Sequence, residues 1–301
     1  MNPSTLHHGA ILCATAAVPD LDLALADYYD RLGLKIVFQG PVSEAQSLAW
    51  DAPAIAGHQQ AVLQPTSGAQ SYIRLIEQPV PDGFRATQTY GWAAFELSVE
   101  DAFSWPPALE GSGFDIVGPP RHIAGLDHLI AMQMVGRGQE MIYLNEVRDN
   151  TPTTDLPKAQ SPVDLTFICI LAAKDRQAAV NWYCEQLGLD ECETHTIPYS
   201  SINRAFQLPD THQTGLTMVH KGRMPIIEVD GYPEMACERP KANGHLPPGN
   251  SILTLAVDSL DAIPLSPIAK IRHEEDAPYT NRLAATFKGP EGELIELVEV
   301  G

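Results

Sequence analysis

Apolar and polar positions along this 301-residue chain follow one layout twice. Residues 10–18 form an apolar, β-prone run, and an amphipathic helix follows that closes on Tyr28-Tyr29-Asp30-Arg31-Leu32-Gly33-Leu34. The same order returns at 165–172, where the helix closes on Trp182-Tyr183-Cys184-Glu185-Gln186-Leu187-Gly188-Leu189. In each copy the Gly lies just past the last apolar turn, where a helix ends. Tyr28 and Tyr183 stand 155 residues apart, so the halves are nearly equal in length, and a unit this large predicts paired domains rather than a solenoid.

Each half divides again. Period-two runs predict strands at 35–38, 46–50, 61–63 and 72–77, before a Pro/Gly/Thr connector at 78–91. A second unit reads as a strand at 92–99, a short helical segment at 100–109, and strands at 114–117, 128–135 and 141–147. Residues 151–162, rich in Thr, Pro and Asp, read as the linker. Beyond it the pattern predicts a helix at 175–187 and strands at 192–197, 202–208, 216–220 and 225–229, then a second connector at 231–249. Strands at 251–257, 268–273, 283–287 and 293–300, with a helical turn at 260–264, make the fourth unit. The expectation is an α+β fold of four βαβββ modules. Modules 1 and 2 would pair in a domain at 1–150, and modules 3 and 4 in a similar one at 163–301.

Composition narrows the class. With 44% hydrophobic residues the chain can bury a sizeable core. A net charge of −19 and only 19 Lys and Arg argue against nucleic acid or an anionic membrane surface as partner. No apolar stretch has the length of a membrane span and no leader pattern opens the chain, so the cytoplasm is the expected location. Five cysteines without a CxxC pair do not form a disulfide or zinc framework.

Two segments carry a resemblance: Val18-Pro19-Asp20-Leu21-Asp22 leading into Tyr28 and Leu32-Gly33-Leu34, and Gly289-Pro290-Glu291-Gly292-Glu293-Leu294-Ile295-Glu296-Leu297-Val298-Glu299. With them the chain resembles the vicinal oxygen chelate superfamily, which includes glyoxalase I, bleomycin-resistance proteins, extradiol dioxygenases and methylmalonyl-CoA epimerase. The resemblance implies that paired modules form a curved sheet, or cup, around a small molecule, often with a divalent metal at its centre. The ligands would be a His or Gln in a first strand and a Glu in a last strand. The last-strand positions fall on Arg74, Tyr143, Glu228 and Glu296, and the first-strand positions on Cys13, Trp92, Ile168 and Ile252. None is a histidine, although His8, His195, His220, His245 or His273 could reach a cup from a neighbouring strand. A divalent metal is therefore possible but not favoured.

Without a metal, chemistry falls to paired carboxylates, whose proton affinities diverge in an apolar cup. Glu228 and Glu296 are the candidate base and acid, together in the C-terminal cup. Arg74 is the candidate anion clamp, Tyr143 and Trp92 candidate aromatic walls, and His128 a further cup candidate. The expected activity is lyase or isomerase chemistry on a small aromatic or carbonyl compound. An extradiol ring-cleaving dioxygenase and a non-catalytic protein that sequesters an apolar ligand are the alternatives. Exposed sheet edges suggest a homodimer.

Overall fold

The computed structural model describes residues 6–123, 126–272 and 276–301. Module 1 comprises β1 (Ile11–Val18), α1 (Leu21–Leu25) running into a π-helical turn (Ala26–Arg31), β2 (Lys35–Pro41), α2 (Glu44–Ala49), β3 (Gln59–Gln64) and β4 (Tyr72–Glu77). Module 2 follows with β5 (Gly91–Val99), α3 (Trp105–Ala108), β6 (Asp115–Ile123), β7 (Leu126–Val135) and β8 (Met141–Val147). Module 3 holds β9 (Val163–Ala173), α4 (Arg176–Leu187), β10 (Asp190–Ile197), α5 (Ser200–Ala205), β11 (Thr214–Lys221) and β12 (Met224–Gly231). Module 4 holds β13 (Gly249–Val257), a 3-10 turn (Leu260–Ala262), β14 (Ala269–Arg272), β15 (Leu283–Lys288) and β16 (Leu294–Glu299).

Local chemistry explains most boundaries. Asp175 caps α4 by accepting from the Ala178 amide at 3.0 Å, and Gly188 ends it in the left-handed region at φ 61°. Two segments expected as strands are helices. At α2, Ser43 and Gln46 form a reciprocal capping box with both bonds at 3.1 Å, and these local bonds outweigh the strand-like pattern at 46–50. At α5 the expected strand over 202–208 is likewise a short helix.

Strand pairing corrects the expected domain partition. One sheet runs β14-β15-β16-β13-β1-β4-β3-β2, so module 1 pairs with module 4; the other runs β10-β11-β12-β9-β5-β8-β7-β6, so module 2 pairs with module 3. The fold is α+β with two curved eight-stranded sheets, but they do not follow the division at 151–162. The reason lies in the first strands. Each joins its own module's last strand in parallel on one edge and offers its other edge to another module's first strand. β1 takes β13 and β5 takes β9, both antiparallel. All four first strands are apolar and largely buried, so their patterns do not distinguish these partners from any others.

One continuous core joins the inner faces of both sheets, including Leu75, Phe95, Leu144, Leu171, Leu255 and Leu297, with the apolar sides of α1 and α4. The repeat is visible in its polar ties. Tyr28 donates to Glu140 at 3.0 Å and Tyr183 donates to Glu293 at 2.5 Å, each phenol linking a module to the hairpin of the next one. Between the sheets, Trp92 Nε1 donates to the Leu294 carbonyl at 2.8 Å, and the Asn250 side chain pairs with both backbone groups of Met141 at 2.9 and 3.0 Å. No described helix is long and apolar enough to cross a membrane.

Candidate functional site

The outer face of each sheet is a cup, and the cups carry opposite chemistry. In the cup of modules 1 and 4, β4 brings Arg74 and β16 brings Glu296 to 3.5 Å from one another, at 0% and 1% side-chain exposure. Glu296 also accepts from Trp50 Nε1 at 2.9 Å, from the Tyr279 hydroxyl at 2.9 Å and from Thr254 at 2.8 Å. Trp50 ends α2 and Tyr279 lies in the turn before β15, so both come from connections folded over the cup. Their rings flank the Arg74 guanidinium at 4.8 and 5.1 Å, within cation–π range. Cys13, at the first-strand position of module 1, stands on β1 opposite Thr254, and burial pushes its thiol up to about 11. Among the described residues, the three guanidinium nitrogens of Arg74 and the Thr15 hydroxyl meet no hydrogen-bond partner.

The cup of modules 2 and 3 gathers carboxyl groups instead. Glu96 on β5 and Glu228 on β12 flank β9 on one face, because Glu96 pairs with Ile168 and Glu228 with Ile170. Asp230 is two residues beyond Glu228 on the same strand and therefore on the same face. Asn145 Nδ2 donates to Glu96 at 2.5 Å, and the Tyr199 hydroxyl, from the residue before α5, donates to Glu228 at 3.1 Å. The Tyr143 and Tyr199 hydroxyls lie 3.3 Å apart. Burial, and then the charge of Glu228, hold the Glu96 and Asp230 carboxyls well above the usual carboxylate range. Glu228 is raised by burial and pulled back by hydrogen bonds from Tyr199 and Asp230. Glu96 and Asp230 are buried, whereas Glu228 is half-buried and meets solvent. Among the described residues the Asn145 amide oxygen and Asp230 Oδ1 have no hydrogen-bond partner.

These positions change the expected site. Glu296 and Glu228 do not share a cup, since β16 and β12 belong to different sheets. Arg74 accompanies Glu296, and Tyr143 accompanies Glu228. Trp92 faces the inter-sheet core, where it packs against Tyr183 at 6.2 Å between centroids. His128 alternates with Ile130, Met132 and Met134, all core residues, so it too sits on the face away from the cup. His195 is an exposed partner of Glu193, His8 bonds the Leu187 carbonyl at 2.7 Å, and His245 is a surface residue. His220 is buried on β11, and its pKa is lowered by burial. His273 lies outside the described residues. Glu96, Asn145 and Asp230 were missed. Their signal is the period-two spacing Glu96 to Ser98, Tyr143 to Asn145 and Glu228 to Asp230, which sets polar groups on one face of otherwise apolar strands.

Among the described residues, a divalent metal fits neither cup. In the first, a guanidinium occupies a last-strand ligand position, and the described carboxylate, Glu296, is already met by an indole, a phenol and a hydroxyl. In the second, the first-strand position of module 3 is apolar, and among the described residues no three His, Cys, Asp or Glu side chains converge as a metal site requires.

Solved structures give an independent view of this architecture. Glyoxalase I from Zea mays superposes with a TM-score of 0.60 at 15% identity, over 96% of this chain and 92% of that one. A candidate dioxygenase from Bacillus subtilis superposes with a TM-score of 0.61 at 12% identity, over 98% of this chain and 86% of that one. The chain has the glyoxalase fold. Both matches span all four modules, so the fold expected from the two sequence segments holds along nearly the whole length. No protein-family model matches the sequence, and neither does any curated protein. The chemistry of this glyoxalase-fold chain has to be argued from its own cups.

Proposed function

We propose that the chain is a cytoplasmic enzyme of small molecules that works by proton transfer in the cup of modules 2 and 3, with lyase or isomerase chemistry on a small aromatic or carbonyl compound. One observation carries the reading: Glu228 is open to solvent on one side, hydrogen-bonded by Tyr199 at 3.1 Å, and has Asp230 beside it on the same face of β12. A carboxyl with raised proton affinity is suited to take up and return a proton during a reaction. Glu228 is the group that meets substrate; Asp230 holds the shared proton, and Glu96, kept neutral by burial, supplies a second acidic hydrogen. Tyr143 orients Tyr199, and through it Glu228. Glu296 is here a fixed anion, sealed beneath Trp50 and Tyr279 beside Arg74. An extradiol centre would need two imidazoles and a carboxylate, and the described neighbours of Glu296 supply none of the former. The homodimer belongs to this proposal as well, with β2, β14, β6 and β10 as the edges available for pairing.

The test starts from a substrate found by screening small carbonyl and aromatic compounds. Glu228→Gln keeps the side-chain shape, and turnover should fall by roughly 10²- to 10⁴-fold. Turnover within about threefold of the parent would remove Glu228 as acid or base.

A further inference from the structure

Two unpartnered atoms of the second cup are pure acceptors, and with the carboxyls around them they select a ligand. Glu96, Glu228 and Asp230 present three carboxyl groups on one face without an Arg or Lys hydrogen-bonded to any of them among the described residues. The cationic side chain acting on Glu228 is His195, itself exposed and paired with Glu193 at 3.5 Å. Two buried acceptor atoms extend the deficit among the described residues. Asn145, 1% exposed, spends its amide hydrogen on Glu96 and leaves its oxygen without a donor. Asp230, also 1% exposed, leaves Oδ1 without one. Beside these acceptors the cup wall is apolar and aromatic: Tyr143, Ile170, Leu216 and Tyr232, with Phe206 packed against them. A buried acceptor left unpaired is costly, so the cup is completed by a group that brings several N–H donors and positive charge together.

Resting on the assignment of this cup as the functional one, we infer that its ligand is a small aromatic or apolar primary amine, with the ammonium at Glu228, the carboxyl of the set that meets solvent, and the apolar body along the Tyr143–Leu216 wall. An ammonium has three donors and is opposite in sign to the carboxyl it would meet. An aromatic body suits the phenol-rich wall. Entry lies beside Tyr199, where Glu228 meets solvent. The α5 segment covering this side is tied down by exposed contacts, Arg121 to Ser200 at 2.7 Å and Arg204 to the Val117 carbonyl at 2.6 Å. Opposite charge lowers the proton affinity of the carboxyls, so the ammonium displaces a shared proton into solution.

Isothermal titration of the full chain with 2-phenylethylamine, 3-phenylpropionate and Mg²⁺ tests this. The amine should bind at one per chain with a heat that varies with buffer ionisation, reporting proton release, and the propionate should not compete for it. Glu228→Gln and Asn145→Leu should each raise its Kd at least about tenfold, the scale of a lost charge-assisted or buried hydrogen bond. Asp261→Asn, at a side chain 90% exposed, should leave it unchanged. Absence of amine binding, equal binding of the propionate, or displacement of the amine by Mg²⁺ would overturn the inference. The two readings separate cleanly. Amine binding with turnover insensitive to Glu228→Gln keeps the ligand class and removes the acid–base role; turnover that depends on Glu228 without amine binding does the reverse.

Discussion

The two cups are built from equivalent strands, yet one holds an ion pair and the other a set of carboxyl groups. At matching last-strand positions the first cup has Arg74 and Glu296, and the second has Tyr143 and Glu228. The first is sealed by Trp50, which ends α2 and donates to Glu296; the second is approached by Tyr199, which precedes α5 and donates to Glu228. With a guanidinium inside, one carboxylate stays charged and is closed away from water. Without it, burial raises the proton affinity of three carboxyls, and one remains reachable. A duplicated scaffold thus supports a closed, structural cup beside one suited to proton exchange.

The sharpest way to break this contrast is to remove one charge from the closed cup. Arg74→Met leaves Glu296 buried without its cation and should cost about 3–5 kcal/mol in denaturant unfolding, while the double change Arg74→Met with Glu296→Met should recover most of it. A small loss in the single variant would mean that Glu296 is not held as an anion.

Stability should also depend on pH through the hairpin glutamates that tie the modules. Burial raises both Glu140 and Glu293 to about 7. A carboxyl whose folded pKa lies above its unfolded value, 4.5, favours the folded chain while protonated, so its contribution is whole below about 4.5 and is lost as pH rises through about 7. Each group accounts for up to about 3 kcal/mol over that window. Thermal unfolding of Glu140→Gln between these limits should show a flatter decline than the parent; an unchanged slope would place the titration elsewhere.

The donors at the two cup mouths give the finer comparison. Trp50→Phe removes an N–H from a charged acceptor and should cost about 1.5–3 kcal/mol, whereas Tyr199→Phe removes an O–H from a carboxyl of raised proton affinity and should cost about 0.5–1.5 kcal/mol. Equal losses would erase the electrostatic difference between the cups. The smallest effect belongs to Glu96→Gln. It keeps the Asn145 contact possible and removes a strained ionisable group, so unfolding at neutral pH should change by less than about 1 kcal/mol, toward greater stability.

By itself the sequence determined the module. The apolar run, helix and Gly at Leu32-Gly33-Leu34 and Leu187-Gly188-Leu189 are local features, written in neighbouring residues, and they specify four copies of one unit and the glyoxalase fold. Glu228, Glu296, Arg74 and Tyr143 were legible for the same reason, since each sits at a fixed distance within its own module. Tertiary structure alone decided which modules share a sheet. First strands that are buried on both faces carry no pattern that distinguishes one partner strand from another, so pairing β1 with β13 and β5 with β9 is settled by long-range packing and by connectors that cross between sheets. That choice put Glu296 beside Arg74 and Glu228 beside Glu96, contacts between residues 222 and 132 positions apart. The sign of each cup is therefore a property of the pairing rather than of any one segment.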